Sequence, residues 1–161
     1  MVKHKKEILI LGIGNDILMD DGIGPKLVAE LQKSIADPRI NFLTASTGGM
    51  EMLELIRDYR QVIIIDAIKT KNGIPGTVYH LTPTGFKETL HISSFHDISF
   101  LTALKLAEKL KMNIPRQMDI IAIEIIEDLT FGSEFSSVIR DKFPAIYQEV
   151  LTEVIRLIGS E

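Results

Sequence analysis

Cysteine is absent from the chain, which excludes disulfides, thiolate metal sites and a cysteine nucleophile and suits a reducing compartment. A basic stripe is missing too. The 18 Lys and Arg residues are scattered along the sequence, 22 acidic residues outweigh them to a net charge of −4, and this balance argues against nucleic acid as a partner. No stretch approaches the roughly 18 apolar residues of a membrane span. The basic start MVKHKK leads into EILILGIGND, too short for the apolar core of a secretory signal and without a small-residue cleavage site behind it. Membrane insertion is therefore not expected, and the expected location is cytoplasmic. Nor is there a Ser/Pro-rich linker, a composition break, an internal repeat or a low-complexity tract. With 161 residues at 45% hydrophobic composition, the expectation is a single domain, 1–161, around one substantial core.

What is present alternates between strand and helix signals. Glu7–Leu11, Gln61–Asp66 and Met118–Ile126 are Ile- and Val-rich runs with little alternation, as in strands covered on both faces. Weaker strands are expected at Ile40–Thr44 and, after a Gly73-Ile74-Pro75-Gly76 turn, at Thr77–Leu81. Between them, Leu27, Val28, Leu31 and Ile35 form one apolar helix face, and Met52, Leu55, Ile56 and Tyr59 form another. A third helix is expected from about Asp97 to about Lys111, and a last one from about Ala145 to Ile158. The order predicts an α/β fold: a three-layer sandwich with a mostly parallel, twisted five-stranded sheet flanked by helices on both faces.

The common catalytic and nucleotide motifs fail on inspection. Gly12 and Gly14 follow the first strand, but the third glycine of a dinucleotide fingerprint is replaced by Ile17, and the helix is not expected until about Ile23. A nucleotide-binding α/β protein is thus the weakest reading. The run SSFHDIS at 93–99 sets Ser, His and Asp side by side, whereas triad members converge from separate segments. There is no G-x-S-x-G elbow and no H-E-x-x-H helix.

In an open α/β sheet the loops at the carboxyl ends of the strands share one edge, where ligands collect. Asp20 and Asp21 fall in the loop after the first strand, Asp66 ends the strand VIIID, and His96 precedes the third helix. Carboxylates and one imidazole on a common edge make an incomplete coordination sphere suited to a divalent transition metal, with positions left for a partner's ligands. Each residue alone has a plainer reading, as a turn cap, a solvated turn or a surface histidine.

Gly12-x-Gly14-Asn15 followed by Asp20-Asp21-Gly22-x-Gly24, then Thr47-Gly48-Gly49-Met50-Glu51-Met52-Leu53, Ile64-Ile65-Asp66-Ala67, Gly73-x-Pro75-Gly76-Thr77, Ser94-x-His96 and Gly132-Ser133 resemble, in order and over almost the whole chain, the [NiFe]-hydrogenase maturation endopeptidases. The resemblance implies that Asp21, Asp66 and His96 bind the metal, preferring Asp21 over Asp20, with Gly12, Gly14, Asn15, Asp20 and Gly22 as the supporting loop. It implies removal of the C-terminal extension of a hydrogenase large-subunit precursor, whose nickel is presented by the precursor's own cysteines. Other divalent transition metals could occupy the same ligands. Thr47, Gly48 and Gly49 are the substrate-contact candidates. Just before them the chain reads Thr44-Ala45-Ser46, where relatives commonly carry an Asp-Gly pair, which leaves the identity of the target hydrogenase open. A monomer is expected, and no general base is assigned. The competing reading is a non-catalytic, nickel-sensing or chaperone-like binder of the precursor. Of the other histidines, His4 lies in the basic arm, His80 in a strand, and His91 near enough to His96 in sequence to support it.

Overall fold

A computed structural model describes residues 6–46, 49–82 and 100–160. Its strands are β1 (Lys6–Ile13), β2 (Ile40–Ala45), β3 (Tyr59–Ile68), β4 (Val78–Leu81) and β5 (Gln117–Glu124), and its helices α1 (Ile23–Ser34), α2 (Gly49–Ile56), α3 (Phe100–Lys109) and α4 (Ser137–Gly159). The five strands form one sheet in the order β2-β1-β3-β5-β4, parallel except for β4, which runs antiparallel to β5. The expected fold class is therefore the one observed.

Side chains on a strand alternate between faces, and both faces here are apolar. Ile8, Ile10, Ile63, Ile65, Ile121 and Ile123 pack against α1 and α4. Leu9, Leu11, Val62, Ile64, Ile120 and Ala122 pack against α2 and α3. Burying each such side chain contributes about 1.5–3 kcal/mol, which is why the unbroken Ile/Val runs hold the centre of the sheet. From β1 the chain moves outward through α1 to β2, while β3 lies on the other side of β1. The order reverses there, and the carboxyl ends of β1 and β3 flank the crevice where such sheets bind ligands.

Several boundaries depart from the sequence expectation, among them that of β3, which continues past Asp66 to Ile68, so that Asp66 lies inside the strand and does not end it. Tyr59 does not continue the α2 face; Asp58, at φ 71°, reverses the chain after α2, and Tyr59 opens β3. The last helix starts at Ser137 and carries Pro144 inside it, instead of starting at Ala145. Proline removes one N–H from the ladder, and the start of α4 is fixed elsewhere, by a bond to Ser136 described below. Finally β5 ends at Glu124, short of Ile126, whose N–H turns to a side-chain carboxylate. The expected start of α3 at Asp97 lies outside the described residues. Among the described residues no helix is long and apolar enough to cross a membrane.

Candidate functional site

At the end of β1 the chain folds back on itself. Gly14 donates its N–H to the Ala45 carbonyl at 2.9 Å, adopts φ 152°, and a Cβ there would lie 2.0 Å from the Asp21 carbonyl oxygen. Only glycine lets the loop come this close. One turn of 3-10 helix, Met19–Gly22, then leads into α1. The first turn of α1 rests on the sheet, since a Cβ on Gly24 would stand 2.5 Å from the Ile13 carbonyl oxygen and 2.6 Å from that of Ile65. The loop thereby sits over the ends of β1 and β3, and the two aspartates are buried, not solvated. Gly12 does not make the turn; it pairs within β1 and gives α1 room to approach. Gly22 is packed on Asp16.

The neighbouring carboxylates do different things. Asp20 Oδ2 accepts the N–H groups of Ile126 at 3.2 Å and Glu127 at 3.0 Å and the Ser136 hydroxyl at 2.8 Å, while Oδ1 accepts the Ser136 N–H at 2.7 Å. Asp20 is thus a strut joining the β1 loop to the end of β5 and the start of α4, and its negative charge favours that helix end. Met19, just before it, is held at φ 50°, an unfavourable conformation for a residue with a Cβ, with its N–H on the Gly132 carbonyl at 2.9 Å. Asp21 Oδ2 accepts the N–H of Asn15 at 2.8 Å, and Asn15 Oδ1 in turn accepts that of Ile17 at 3.1 Å.

Asp66 is fully buried near the end of β3, its Oδ1 accepting the Ala67 N–H at 2.8 Å. By alternation it shares the face of Val62, Ile64 and Ile68, among the α2 and α3 side chains. The 3-10 turn bearing Asp21 packs against β3, so Asp21 and Asp66 come to the same edge. His96, Thr47 and Gly48 lie outside the described residues, as do His4 and His91; Gly49 opens α2. Among the described residues no group of three His, Cys, Asp or Glu side chains could hold a metal ion, so a three-donor site here needs a donor from outside them. A cleft of about 280 Å³ lies beside Asn15 and Asp16, bounded by Pro25 and by Thr44, Ala45 and Ser46 at the end of β2. His80 is elsewhere: its Nε2 meets Asp119 at 2.7 Å and its Nδ1 faces Glu153 at 3.5 Å, tying β4 to β5 and α4.

Sequence reasoning passed over Glu124. It is buried on the Asp66 face of the sheet, two residues beyond the Ala122 that pairs with Asp66. Its Oε1 accepts the N–H and hydroxyl of Thr70 at 2.8 and 2.9 Å, and its Oε2 has no hydrogen-bond partner among the described residues. The available signal was a lone acidic residue in the apolar run AIEII.

A family model described as hydrogenase maturation protease matches residues 25–153. The hydrogenase 2 maturation protease of Escherichia coli is 40% identical over 72 residues, covering 44% of this chain and 44% of that protein. The hydrogenase expression/formation protein HupD of Thiocapsa roseopersicina is 28% identical over 150 residues, covering 90% of this chain and 66% of that protein. The matched segments thus span 44% and 66% of these relatives' own length. Among solved structures, the hydrogenase-maturating endopeptidase HybD from Escherichia coli has a TM-score of 0.75 and 26% identity, covering 95% of this chain and 94% of that one.

Proposed function

The chain belongs to the hydrogenase maturation protease family, and from that membership we propose that it is the endopeptidase that removes the C-terminal extension of a nickel-loaded [NiFe]-hydrogenase large-subunit precursor. The observation that carries the reading is the pair of buried aspartates, Asp21 and Asp66, brought to one edge over the carboxyl ends of β1 and β3. Buried carboxylates cost free energy unless hydrogen bonds or a cation compensate them, and here the protein buries two of them.

Nickel enters as the precursor's cargo. Asp21, Asp66 and His96 are the proposed ligands on this side, and a chain without cysteine supplies oxygen and nitrogen donors that complement thiolates supplied by the substrate. Other divalent transition metals fit the same donor set. When bound, the ion supplies positive charge that polarises a peptide carbonyl or docks the precursor. The chain's own contribution is to orient the carboxylates: Asn15 fixes Asp21, the β3 backbone fixes Asp66, and Asp20 fixes the loop that carries Asp21. Water adds across the scissile C–N bond, giving a carboxylate on the mature subunit and an amine on the released extension. The reading carries with it a cytoplasmic monomer that meets its partner as a folded precursor, with Thr47, Gly48 and Gly49 as substrate contacts.

Incubation with nickel-loaded precursor, read by intact mass, tests the proposal. A precursor shortened at its C-terminus is the expected result. Complex formation with unchanged mass would instead favour the non-catalytic, chaperone-like binder.

A further inference from the structure

Two loops stand beside Asp21 at the carboxyl edge, residues 14–22 after β1 and residues 125–136 between β5 and α4. They pair through their main chains: Met19 donates to the Gly132 carbonyl and Gly132 to that of Ile17, both at 2.9 Å, in a parallel bridge between Leu18 and Gly132. Ile17 and Phe131 each immediately precede a residue of this bridge. Both face solvent, Ile17 at 53% and Phe131 at 80% exposure, with Leu129 at 82%. The loops are tightly braced. Glu127 accepts the N–H groups of Leu129 at 3.0 Å and Thr130 at 3.1 Å, and Asp20 holds Ile126 and Glu127 from behind. Large apolar side chains are therefore held outward by ordered backbone, at a cost in solvent exposure that folding alone does not explain.

The charge on these loops has one sign. They carry Asp16, Asp20, Asp21, Glu127, Asp128 and Glu134 and no Lys, Arg or His, in a chain that has 18 basic residues. Lys69 reaches in to Asp128 at 2.9 Å, and Lys26 reaches the Ser133 carbonyl at 2.6 Å, which leaves Asp16 and Glu134 as the exposed acidic flanks. We infer that Ile17, Leu129 and Phe131 form a docking face for the precursor, taking a segment whose apolar side chains cover these three and whose basic side chains meet Asp16 and Glu134. The partner's identity rests on the proposed function. A second copy of this chain fits poorly, because a two-fold contact would set the same acidic flanks against each other.

The test compares wild type, Leu129→Ser/Phe131→Ser and Asp16→Asn/Glu134→Gln, with circular dichroism to verify folding. Binding to nickel-loaded precursor is measured by calorimetry at low and high salt, and cleavage is followed in parallel. The apolar pair of changes should weaken binding, and raise KM, by about tenfold or more with kcat retained. The acidic pair should flatten the salt dependence of binding. Wild-type affinity in both double variants, or a wild-type dimer that the apolar variant converts to monomer, would overturn the inference. So would failure of wild type to bind the precursor. Patch-dependent binding without cleavage would keep the docking face and remove the peptidase reading.

Discussion

Asp20 holds Ser136 twice, accepting its N–H at 2.7 Å and its hydroxyl at 2.8 Å across 116 residues of sequence. With the Ile126 and Glu127 N–H groups, four donors converge on one fully buried carboxylate. Truncating it leaves them unmatched, so Asp20→Ala should lower stability by about 3 kcal/mol or more, while Ser136→Ala, which loses one charge-assisted bond, should cost about 1–2 kcal/mol. Urea unfolding of both variants measures this. Equal, small losses would show that Asp20 is not a strut.

The same geometry separates Asp20 from Asp21 in metal binding. Asp21→Asn should reduce the affinity for a divalent transition ion by about tenfold or more, and Asp20→Asn by less, since Asp20 acts through the loop. His96→Ala should behave like Asp21→Asn, whereas His80→Ala should leave affinity unchanged because His80 is paired with Asp119 and Glu153. Calorimetric titration distinguishes these cases. Equal loss from Asp20→Asn and Asp21→Asn would mean that the pair acts as a unit.

Gly24 tests the placement of the loop over the strands. Gly24→Ala would press a methyl group against the Ile13 and Ile65 carbonyl oxygens, at 2.5 and 2.6 Å, and lift the start of α1 from the sheet. The expected cost is about 1–3 kcal/mol, with a loss of metal affinity beyond that of an exposed substitution in the same helix. An unshifted unfolding midpoint would contradict the close contact.

Glu127 gives the loop between β5 and α4 a pH dependence. Its carboxyl lies below the ordinary value of 4.5, chiefly because the Leu129 N–H donates to the carboxylate and then because Thr130 does. A lowered value in the folded state means that the stabilisation is present above the unfolded value and is lost as pH falls through the folded one. Protection of the Leu129 and Thr130 amides against hydrogen exchange should hold at about pH 6 and disappear towards about pH 3, and Glu127→Gln should remove that dependence. Protection independent of pH would show that the backbone alone orders the loop.

How much of this is legible in the sequence differs by element. β1, β3 and β5 are readable because unbroken Ile and Val runs have few alternatives to a doubly covered strand, and the parallel order follows from the helices between them. Tyr59 is misread because the spacing of Met52, Leu55 and Ile56 happens to continue to it, while the reversal depends on Asp58 at a positive φ. The start of α4 at Ser137 and the end of β5 at Glu124 are hidden for one shared reason. Both are set by Asp20, whose partners lie 106 to 116 residues away, and no local pattern records such a contact. Asp20, Asp21 and Asp66 stand out as candidates by their place at the carboxyl edge, the preference for Asp21 over Asp20 comes only from the family resemblance, and Glu124 is passed over because its burial and its bonds to Thr70 depend on how the segment after β3 packs.

The proposed reaction stands or falls on one comparison. Large-subunit precursor, with and without nickel, is incubated with wild type and with Asp66→Asn, and its intact mass is followed over time. Wild type should shorten only the nickel-loaded precursor, and Asp66→Asn, while still folded by circular dichroism, should leave its mass unchanged. Shortening by Asp66→Asn at the wild-type rate, or no shortening by wild type of a precursor that it binds, would contradict the assignment.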